Sequence, residues 1–472
     1  MKRPIVAALA AIACSMHPYG AVRAESPVAE PTSPAPAGLT AEKYKLGNGL
    51  EVVLHEDKRT PTVTVNVWYQ VGSKDEPAGK NGFAHLFEHV MFQGSRHVPE
   101  DTFFKYLEQA GGTGINGTTN TDRTNYFETV PSNRLELPLW LESDRMAFLL
   151  DHADEATFKS QRDVVKNERR QNYENAPYGL VLDFVRRELF PASHPYHLLT
   201  IGTPEDLDRA QLEDVRAFFR AWYVPNNATL VVCGDFDKTK TKALIDKYFA
   251  PIPAGRPPAR TPAPPVARTQ EAVLDVEADV ELARVSASWV TPAFFQGGDA
   301  ELDVLARVLA FGKTSRLYKR LVYDAQIAQS VSAGQDSMQL ASVFQIGVVG
   351  KPGKQPDELL KMVDEEIARL VDKGVEPAEL ARAKAQIRAE QVFELERAGS
   401  RANQLNMYNH YTGDPGYWEK DVARIERVTA ADVVAAAKKY LAREARVVAR
   451  TTPKKGAPIA GKLVKTTRGG AP

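Results

Sequence analysis

A proline-rich stretch at 251–268, PIPAGRPPARTPAPPVAR, divides this chain of 472 residues almost in half. Proline fixes its own backbone and lacks an amide donor, so such a stretch cannot continue a helix or a central strand. This composition is typical of a boundary between domains. We therefore predict an N-terminal domain over 40–250, a linker over 251–270 and a C-terminal domain over 271–452.

The two halves repeat one order of predicted elements. In the first half an amphipathic helix over 212–222 precedes an apolar strand over 228–233, and in the second a helix over 433–441 precedes a strand over 446–449. The shared order favours duplication of one domain, although helix followed by strand is a common order. Because alternating strands mix with helices, we predict an α+β fold of two homologous domains. Each is an antiparallel-rich sheet packed with helices, and the Pro-rich linker joins them.

The N-terminus has the pattern of an export signal over 1–24. Lys2 and Arg3 precede a short apolar run at 5–13, and small residues follow where cleavage is expected. The pattern predicts export, to the periplasm or by secretion, with a lipoprotein site at Cys14 as a weaker alternative. The apolar run is too short to span a bilayer and no other run approaches the necessary length, so no membrane span is predicted.

Other features of composition narrow the expected partners. Lys plus Arg and Asp plus Glu are equal at 60 each, so no long-range field favours nucleic acid. After removal of the signal only Cys233 remains, which excludes an internal disulfide and favours a buried thiol. A Pro/Ala/Ser linker over 25–39 and a mobile Lys/Gly tail over 453–472 are predicted.

The segment His85-Leu86-Phe87-Glu88-His89 carries the clearest chemistry. On a helix, His85 and His89 lie one turn apart on one face with Glu88 beside them, and apolar residues occupy the opposite face. Two neutral imidazoles at this spacing can hold zinc, and a carboxylate between them can take a proton from water. The alternative is a chance meeting of two histidines on a surface helix.

A catalytic zinc needs a third protein ligand, and an acidic residue on a later helix is the natural candidate. On a predicted helix over 158–173, Glu168 shares one stripe with three residues: Gln161, Val164 and Val165. A carboxylate on an apolar stripe needs a partner, which a metal ion would provide. Glu155 and Glu174 remain rival ligands on pattern alone.

Over most of 44–450 the chain resembles the pitrilysin family of zinc metallopeptidases, which includes insulin-degrading enzyme and the mitochondrial processing peptidase. It is most similar to the bacterial two-domain, short-chain members. The resemblance rests on five segments: LGNGL at 46–50, VGSKDEP at 71–77, GFAHLFEHVMF at 82–92, QRDVVKNE at 161–168 and YVPNNATL at 223–230.

The resemblance implies one Zn²⁺ per chain, held by His85, His89 and Glu168, with Glu88 as general base. Family members often have a glutamate seven residues before the third ligand, where this chain has Gln161. Gln161 is expected to support the site by hydrogen bonding but without charge. The resemblance also implies an edge strand at Asn116-Gly117-Thr118-Thr119, in which Asn116, Gly117 and Thr118 bind the substrate backbone by strand addition. A turn residue is the alternative for Asn116.

The C-terminal domain departs from the family. Members carry an Arg and a Tyr seven residues apart that bind substrate, and Val322 and Gln329 occupy those places here. In a shifted alignment Arg316 and Tyr323 have the same spacing. We favour the first alignment, in which the domain is inactive and a partner chain in a homo- or heterodimer supplies the pair.

These observations predict an exported zinc endopeptidase that hydrolyses unfolded peptides or small proteins in a closed chamber, as the catalytic half of a dimer. The alternatives are a non-catalytic, peptide-binding subunit of a peptidase-like complex, and a zinc ion with a structural role only. The intact His85, Glu88 and His89 set argues against the first, and a base beside an open coordination position argues against the second.

Overall fold

Two six-stranded sheets organise the chain in the computed structural model, which describes residues 38–260 and 263–469. The predicted export signal and residues 25–37 of the first predicted linker lie outside the described residues. Strands of the first half, 38–260, form one sheet, and strands of the second half, 263–469, form the other.

The first sheet has the strand order β1-β2-β6-β3-β5-β4. Its strands are β1 Glu42–Lys45, β2 Glu51–Glu56, β3 Thr62–Tyr69, β4 Thr113–Thr119, β5 Thr124–Pro131 and β6 Ala228–Gly234. Neighbours are antiparallel except β2 and β6, which run parallel. Every residue of β6 is buried, as expected for a continuous apolar run in the middle of a covered sheet. Strand β4 lies at an edge.

The second sheet has the equivalent order β12-β7-β11-β8-β10-β9. Its strands are β7 Ala272–Ala278, β8 Arg284–Thr291, β9 Ala328–Asp336, β10 Ser342–Gly350, β11 Arg446–Pro453 and β12 Lys462–Arg468. Again one pair, β7 with β11, is parallel and the others are antiparallel. The common topology confirms the prediction of two related α+β domains.

Helices cover both sheets. Those of the first half are α1 Phe83–Val90, α2 Phe103–Gln109, α3 Glu136–Phe148, α4 Glu155–Arg169, α5 Val181–Leu189, α6 Pro204–Arg209, α7 Leu212–Trp222 and α8 Lys238–Phe249. Those of the second half are α9 Asp299–Ala310, α10 Pro356–Lys373, α11 Pro377–Glu394, α12 Ala398–Thr412, α13 Trp418–Arg427 and α14 Ala430–Tyr440. The predicted cap of α14 is present, because the Thr429 side chain accepts a hydrogen bond from the Asp432 amide.

Each half contributes one helix to the other half's sheet. Helix α5 packs on β7, β8 and β11, where Val185 and Leu189 join an apolar cluster with Leu274. Helix α12 packs on β3, β5 and β6, where Leu405 contacts a cluster that contains Cys233. Because each sheet is covered on this face by the other half, the two halves stabilise one another through apolar burial.

The C-terminal segment differs from the prediction of a mobile tail over 453–472. Within it, β12 pairs antiparallel with β7 and completes the second sheet. The pairing is made by backbone groups, and all seven residues of β12 have exposed side chains, so no apolar alternation marks the strand in the sequence. Among the helices of the described ranges, none has the length and apolar character needed to cross a membrane.

Candidate active site

Helix α1 presents a packed face and a polar face. Phe83, Leu86, Phe87 and Val90 are buried against the first sheet and α7. Before the helix, Gly82 has φ 97°, and a Cβ atom there would lie 2.7 Å from the Cα of Gly202. Only glycine meets both conditions. Helix α1 packs against α4 as well, and both histidines lie beside Glu168 of that helix.

Glu76 closes the amino end of α1. Its carboxylate accepts hydrogen bonds from the amides of Gly82 at 3.0 Å and Ala84 at 2.8 Å, and from the Asn81 side chain at 3.0 Å. These amides have no partner within the helix, so a hydrogen-bond acceptor at this place stabilises its first turn. Sequence reasoning missed this role, although an acidic residue shortly before a helix is the signal for it.

Three predicted ligands converge. The Nε2 atoms of His85 and His89 lie 3.6 Å and 3.3 Å from Oε2 of Glu168 on α4. One potential ligand atom from each residue falls within a cluster no wider than 4.8 Å, and no other such group exists among the described residues. The structure thus brings together the two candidate ligands one turn apart and the third candidate about eighty positions later, which the resemblance favoured.

The rival third ligands lie elsewhere. Glu155 is paired with Lys159 at the start of α4, and Glu174 is paired with Arg169. The apolar stripe predicted on the helix of Glu168 is only partly buried, because Val165 is buried whereas Val164 is 42% exposed. Val164 therefore turns to solvent, since α4 is buried over a narrower face than the predicted one. Gln161 makes no hydrogen bond to any described residue, and its supporting role stays a prediction.

The donor set fits zinc. Two imidazole nitrogens and one carboxylate are the ligands of many catalytic zinc sites, which keep one position open. Burial and the neighbouring His89 lower the pKa of His85 to about 4, so its ring is neutral near pH 7 and its Nε2 can coordinate. A hydrogen bond with His89 holds the pKa of Glu168 below its ordinary value, which keeps the carboxylate ionised.

Glu88 lies against the edge strand β4. Its Oε2 accepts a 2.6 Å hydrogen bond from the hydroxyl of Thr119. Burial raises the pKa of Glu88, as suits a general base, while the Thr119 bond acts in the opposite direction. A Cβ atom at Gly117 would lie 3.1 Å from Glu88 Cγ and 3.1 Å from the Phe92 ring. Thr119 was not predicted as a partner of the base.

The register of β4 shows which backbone groups are free. Hydrogen-bonded pairs alternate along an antiparallel ladder. The amide of Asn120 donates to the carbonyl of Arg123 at 3.0 Å and fixes the phase at the turn. Counting back by two, residues 118 and 116 direct their amides and carbonyls to β5. The groups directed to the open edge belong to Gly117 and Thr119.

Substrate contact by Asn116, Gly117 and Thr118 stays a prediction. Of these three residues, only Gly117 directs its backbone amide and carbonyl to the open edge, and Thr119 directs its own there as well. The Thr118 side chain donates to Asn125 at 2.5 Å on the face of the sheet away from Glu88. Gly117 and Thr119 share the face of Glu88, as alternate residues of a strand do.

A short segment that precedes α1 is hydrogen-bonded to the turn that follows β4. Within 72–76, the amides of Ser73 and Lys74 donate to the carbonyls of Asn120 at 3.1 Å and Thr121 at 3.0 Å. The last residue of the same segment is Glu76, which accepts hydrogen bonds from the first amides of α1. One stretch of five residues therefore fixes the edge strand relative to the helix with the histidines and the base.

The second half does not offer a free arginine at the predicted places. Val322 packs against the core of the second half, and Gln329 lies in β9. The Arg316 guanidinium is 9% exposed and pairs with Glu379 at 2.5 Å, while Tyr323 is 72% exposed. Because Arg316 is already paired and only partly accessible, it is poorly placed to meet a substrate carbonyl.

Comparison with known proteins adds sequence relatives. The zinc protease PqqE of Helicobacter pylori is 31% identical over 362 residues, which cover 75% of this chain and 80% of that protein. The protein named uncharacterized zinc protease YmxG of Bacillus subtilis is 25% identical over 394 residues, covering 82% of this chain and 93% of the relative.

Solved structures share the fold. A protease from Helicobacter pylori superposes with a TM-score of 0.81 at 27% identity, over 88% of this chain and all of that chain. The periplasmic protease PqqL of Escherichia coli superposes with a TM-score of 0.74 at 17% identity. The match to PqqL covers 89% of this chain and 48% of PqqL. At 17% identity it shows a shared fold and nothing about activity.

Family profiles match both halves. The profile described as insulinase, peptidase family M16, matches residues 51–198, and the profile described as the peptidase M16 inactive domain matches residues 209–387. The first match contains α1 and α4 with the three converging candidate ligands, and the inactive-domain match begins after them. The chain therefore belongs to peptidase family M16, the insulinase family.

Proposed function

We propose that this chain is a zinc-dependent endopeptidase for extended peptides, with His85, His89 and Glu168 as the metal ligands and Glu88 as the general base. The single observation that carries the proposal is the convergence of both Nε2 atoms on one Glu168 oxygen, beside an open strand edge. Relatives named as zinc proteases support a peptidase of this class.

The roles of the residues follow from their positions. Zinc, when bound, lowers the pKa of a water ligand and polarises a carbonyl oxygen. Glu88 takes the proton from the attacking water and passes it to the leaving amine nitrogen. The Thr119 hydroxyl holds one Glu88 oxygen and leaves the other for this transfer. The outward amides and carbonyls of Gly117 and Thr119 pair with the substrate backbone, which selects extended chains rather than folded ones.

A partner and a location belong to the same proposal. The chain acts as the catalytic half of a chamber, and a partner chain supplies the Arg and Tyr that the second half lacks. The ion pair of Arg316 with Glu379 supports this view, since it already occupies that guanidinium. Export to the periplasm follows from the N-terminal pattern at 1–24, with secretion as the other destination.

The test is cleavage of quenched fluorescent peptides by the purified mature chain, alone and after reconstitution with co-purified partners. We expect chelation to abolish cleavage and zinc to restore it, with one Zn²⁺ per chain by elemental analysis. Full activity of the chain alone would remove the need for a partner. Peptide binding without cleavage under every condition would favour the non-catalytic alternative.

A further inference from the structure

A buried carboxylate at the tip of the β4–β5 hairpin joins the two halves. Asp122 is fully buried and accepts hydrogen bonds from three segments. The donors are the Tyr196 hydroxyl at 2.5 Å, the Gln339 amide at 2.9 Å and the Tyr411 hydroxyl at 3.1 Å. Tyr196 belongs to the first half, while Gln339 and Tyr411 belong to the second.

All three donors are neutral. Within the described ranges the Asp122 carboxylate forms no ion pair within 4.0 Å, although the Arg123 and Arg186 guanidinium groups lie near enough to interact with its charge. A buried carboxylate without a paired cation depends on its hydrogen bonds, and bonds to a charged acceptor are the stronger kind. Burial, followed by the charge of Asp122, raises the pKa of both phenols, so both remain donors at neutral pH. The turn is therefore held to the second half by two charge-assisted hydrogen bonds.

The same turn fixes the strand that faces Glu88. The Lys74 ammonium donates to the Asp122 carbonyl at 2.8 Å. The next residue, Arg123, is partly buried and donates to the Thr118 carbonyl of β4 at 2.8 Å. Thr119, the following residue of β4, donates to Glu88. A displacement of the Asp122 carboxylate is thus passed through short, direct contacts to the partner of the base.

We propose that Asp122 is a positioning residue, through which the second half holds β4 in register with Glu88. The inference rests on the proposed function, because it names the part of the second half that the same site needs. It gives the inactive second half a task within the chain: its β9–β10 loop and α12 set the place where the substrate backbone lies.

Helix α12 provides a matched control. Tyr408 lies one turn before Tyr411 and donates to Asp421 at 2.8 Å, a buried bond wholly inside the second half. Tyr411→Phe and Tyr408→Phe each remove one hydroxyl from the same helix and one hydrogen bond from a carboxylate. A general loss of stability would affect both variants alike. A loss of hairpin positioning would affect Tyr411→Phe alone, because only that variant removes a hydrogen bond to Asp122.

The first experiment needs no activity. Hydrogen exchange is measured by mass spectrometry on the peptide that spans 113–125 in the wild type and in both variants. We expect Tyr411→Phe to increase exchange of this peptide about tenfold, since a pinning bond is lost. Tyr408→Phe should leave it at the wild-type rate. Equal exchange in all three proteins would overturn the proposal, even if the chain proved to be no peptidase.

The second experiment asks whether the effect reaches the base. We expect Tyr411→Phe to lower kcat about tenfold with zinc content unchanged, because small displacements of reacting groups reduce rates steeply. In a Thr119→Val background the same change should have little further effect, since the contact that transmits it is gone. Additive losses from the two substitutions, or an equal loss in Tyr408→Phe, would contradict a positioning role.

Discussion

The Glu76 carboxylate accepts a hydrogen bond from the Ala84 amide at 2.8 Å and so closes the helix that carries both histidines. The two residues are eight positions apart, and the contact ties the segment 72–76 to α1. Because that segment also holds the hairpin tip, the geometry between Glu88 and the edge strand depends on the partly buried carboxyl group of Glu76.

The stability of the protein is predicted to depend on the titration of Glu76. Burial raises the pKa of Glu76 to about 8, against the three hydrogen bonds that favour its charge. The folded-state pKa is above the unfolded value, so the associated stability is complete below about pH 4.5 and is lost as pH rises through 8. Urea unfolding at pH 6 and 9 should show a decline of about 2.7 kcal/mol in the wild type that Glu76→Gln removes, because over about two pH units the unfolded group has lost the proton that the folded group keeps. The same decline in both proteins would exclude Glu76 as its source.

Gly117→Ala is expected to impair catalysis without loss of metal. The added Cβ would lie 3.0 to 3.1 Å from the Tyr126 ring, Glu88 Cγ and the Phe92 ring, so Glu88 must shift. We expect kcat/KM to fall about 100-fold with zinc content unchanged. Gly334→Ala is the matched control, because Gly334 lies in the edge strand β9 and no atom lies within 4 Å of its Cβ position. Comparable activity of Gly117→Ala and the wild type would show that the strand does not confine the base.

Removal of the third ligand tests the choice among the three glutamates. Glu168→Ala deletes the carboxylate on which both imidazoles converge, and we expect the purified protein to contain less than about a tenth of the wild-type zinc. Glu174→Ala is the control. It removes a glutamate at the end of the same helical segment, but this glutamate pairs with Arg169 rather than with the imidazoles. Elemental analysis after dialysis against a weak chelator separates the two. Zinc retention by Glu168→Ala would require a different ligand.

Cys233 is expected to be inert in the folded protein. It is fully buried, and burial raises the pKa of its thiol to about 11. In a mature chain that begins after residue 24, a thiol reagent at pH 8 should modify no cysteine until urea unfolds the protein, and then one per chain. Its folded-state pKa exceeds the unfolded value, so the stability that it contributes is lost as pH rises toward 11. Rapid modification of the native protein would contradict the burial.

Local patterns predicted much of this fold. The amphipathic period of 212–222 matches α7 residue for residue, and the apolar run at 228–233 is β6 with one residue added. His85, Glu88 and His89 were identifiable because one helical turn brings them together without help from the rest of the chain. The signals that succeeded are those in which neighbours along the sequence are also neighbours in space.

Long-range contacts could not be predicted in this way. The donors to Asp122 are 74, 217 and 289 positions away, and no local period relates them. Strand β12 has the sequence KLVKTTR, and its place in the sheet is set by the backbone of β7 rather than by its own side chains. Glu168 needed the family resemblance, because an exposed Val164 lies on the stripe that was predicted to be buried.

The central claim is that Glu88 moves the proton while His85, His89 and Glu168 hold the metal. Glu88→Gln keeps the size of the side chain and an acceptor for Thr119, but it removes the base. The most direct measurement is kcat for peptide cleavage by this variant, together with its zinc content. We predict wild-type zinc and a kcat reduced by at least about 1,000-fold. A Glu88→Gln variant with full zinc and a near wild-type kcat would contradict the account.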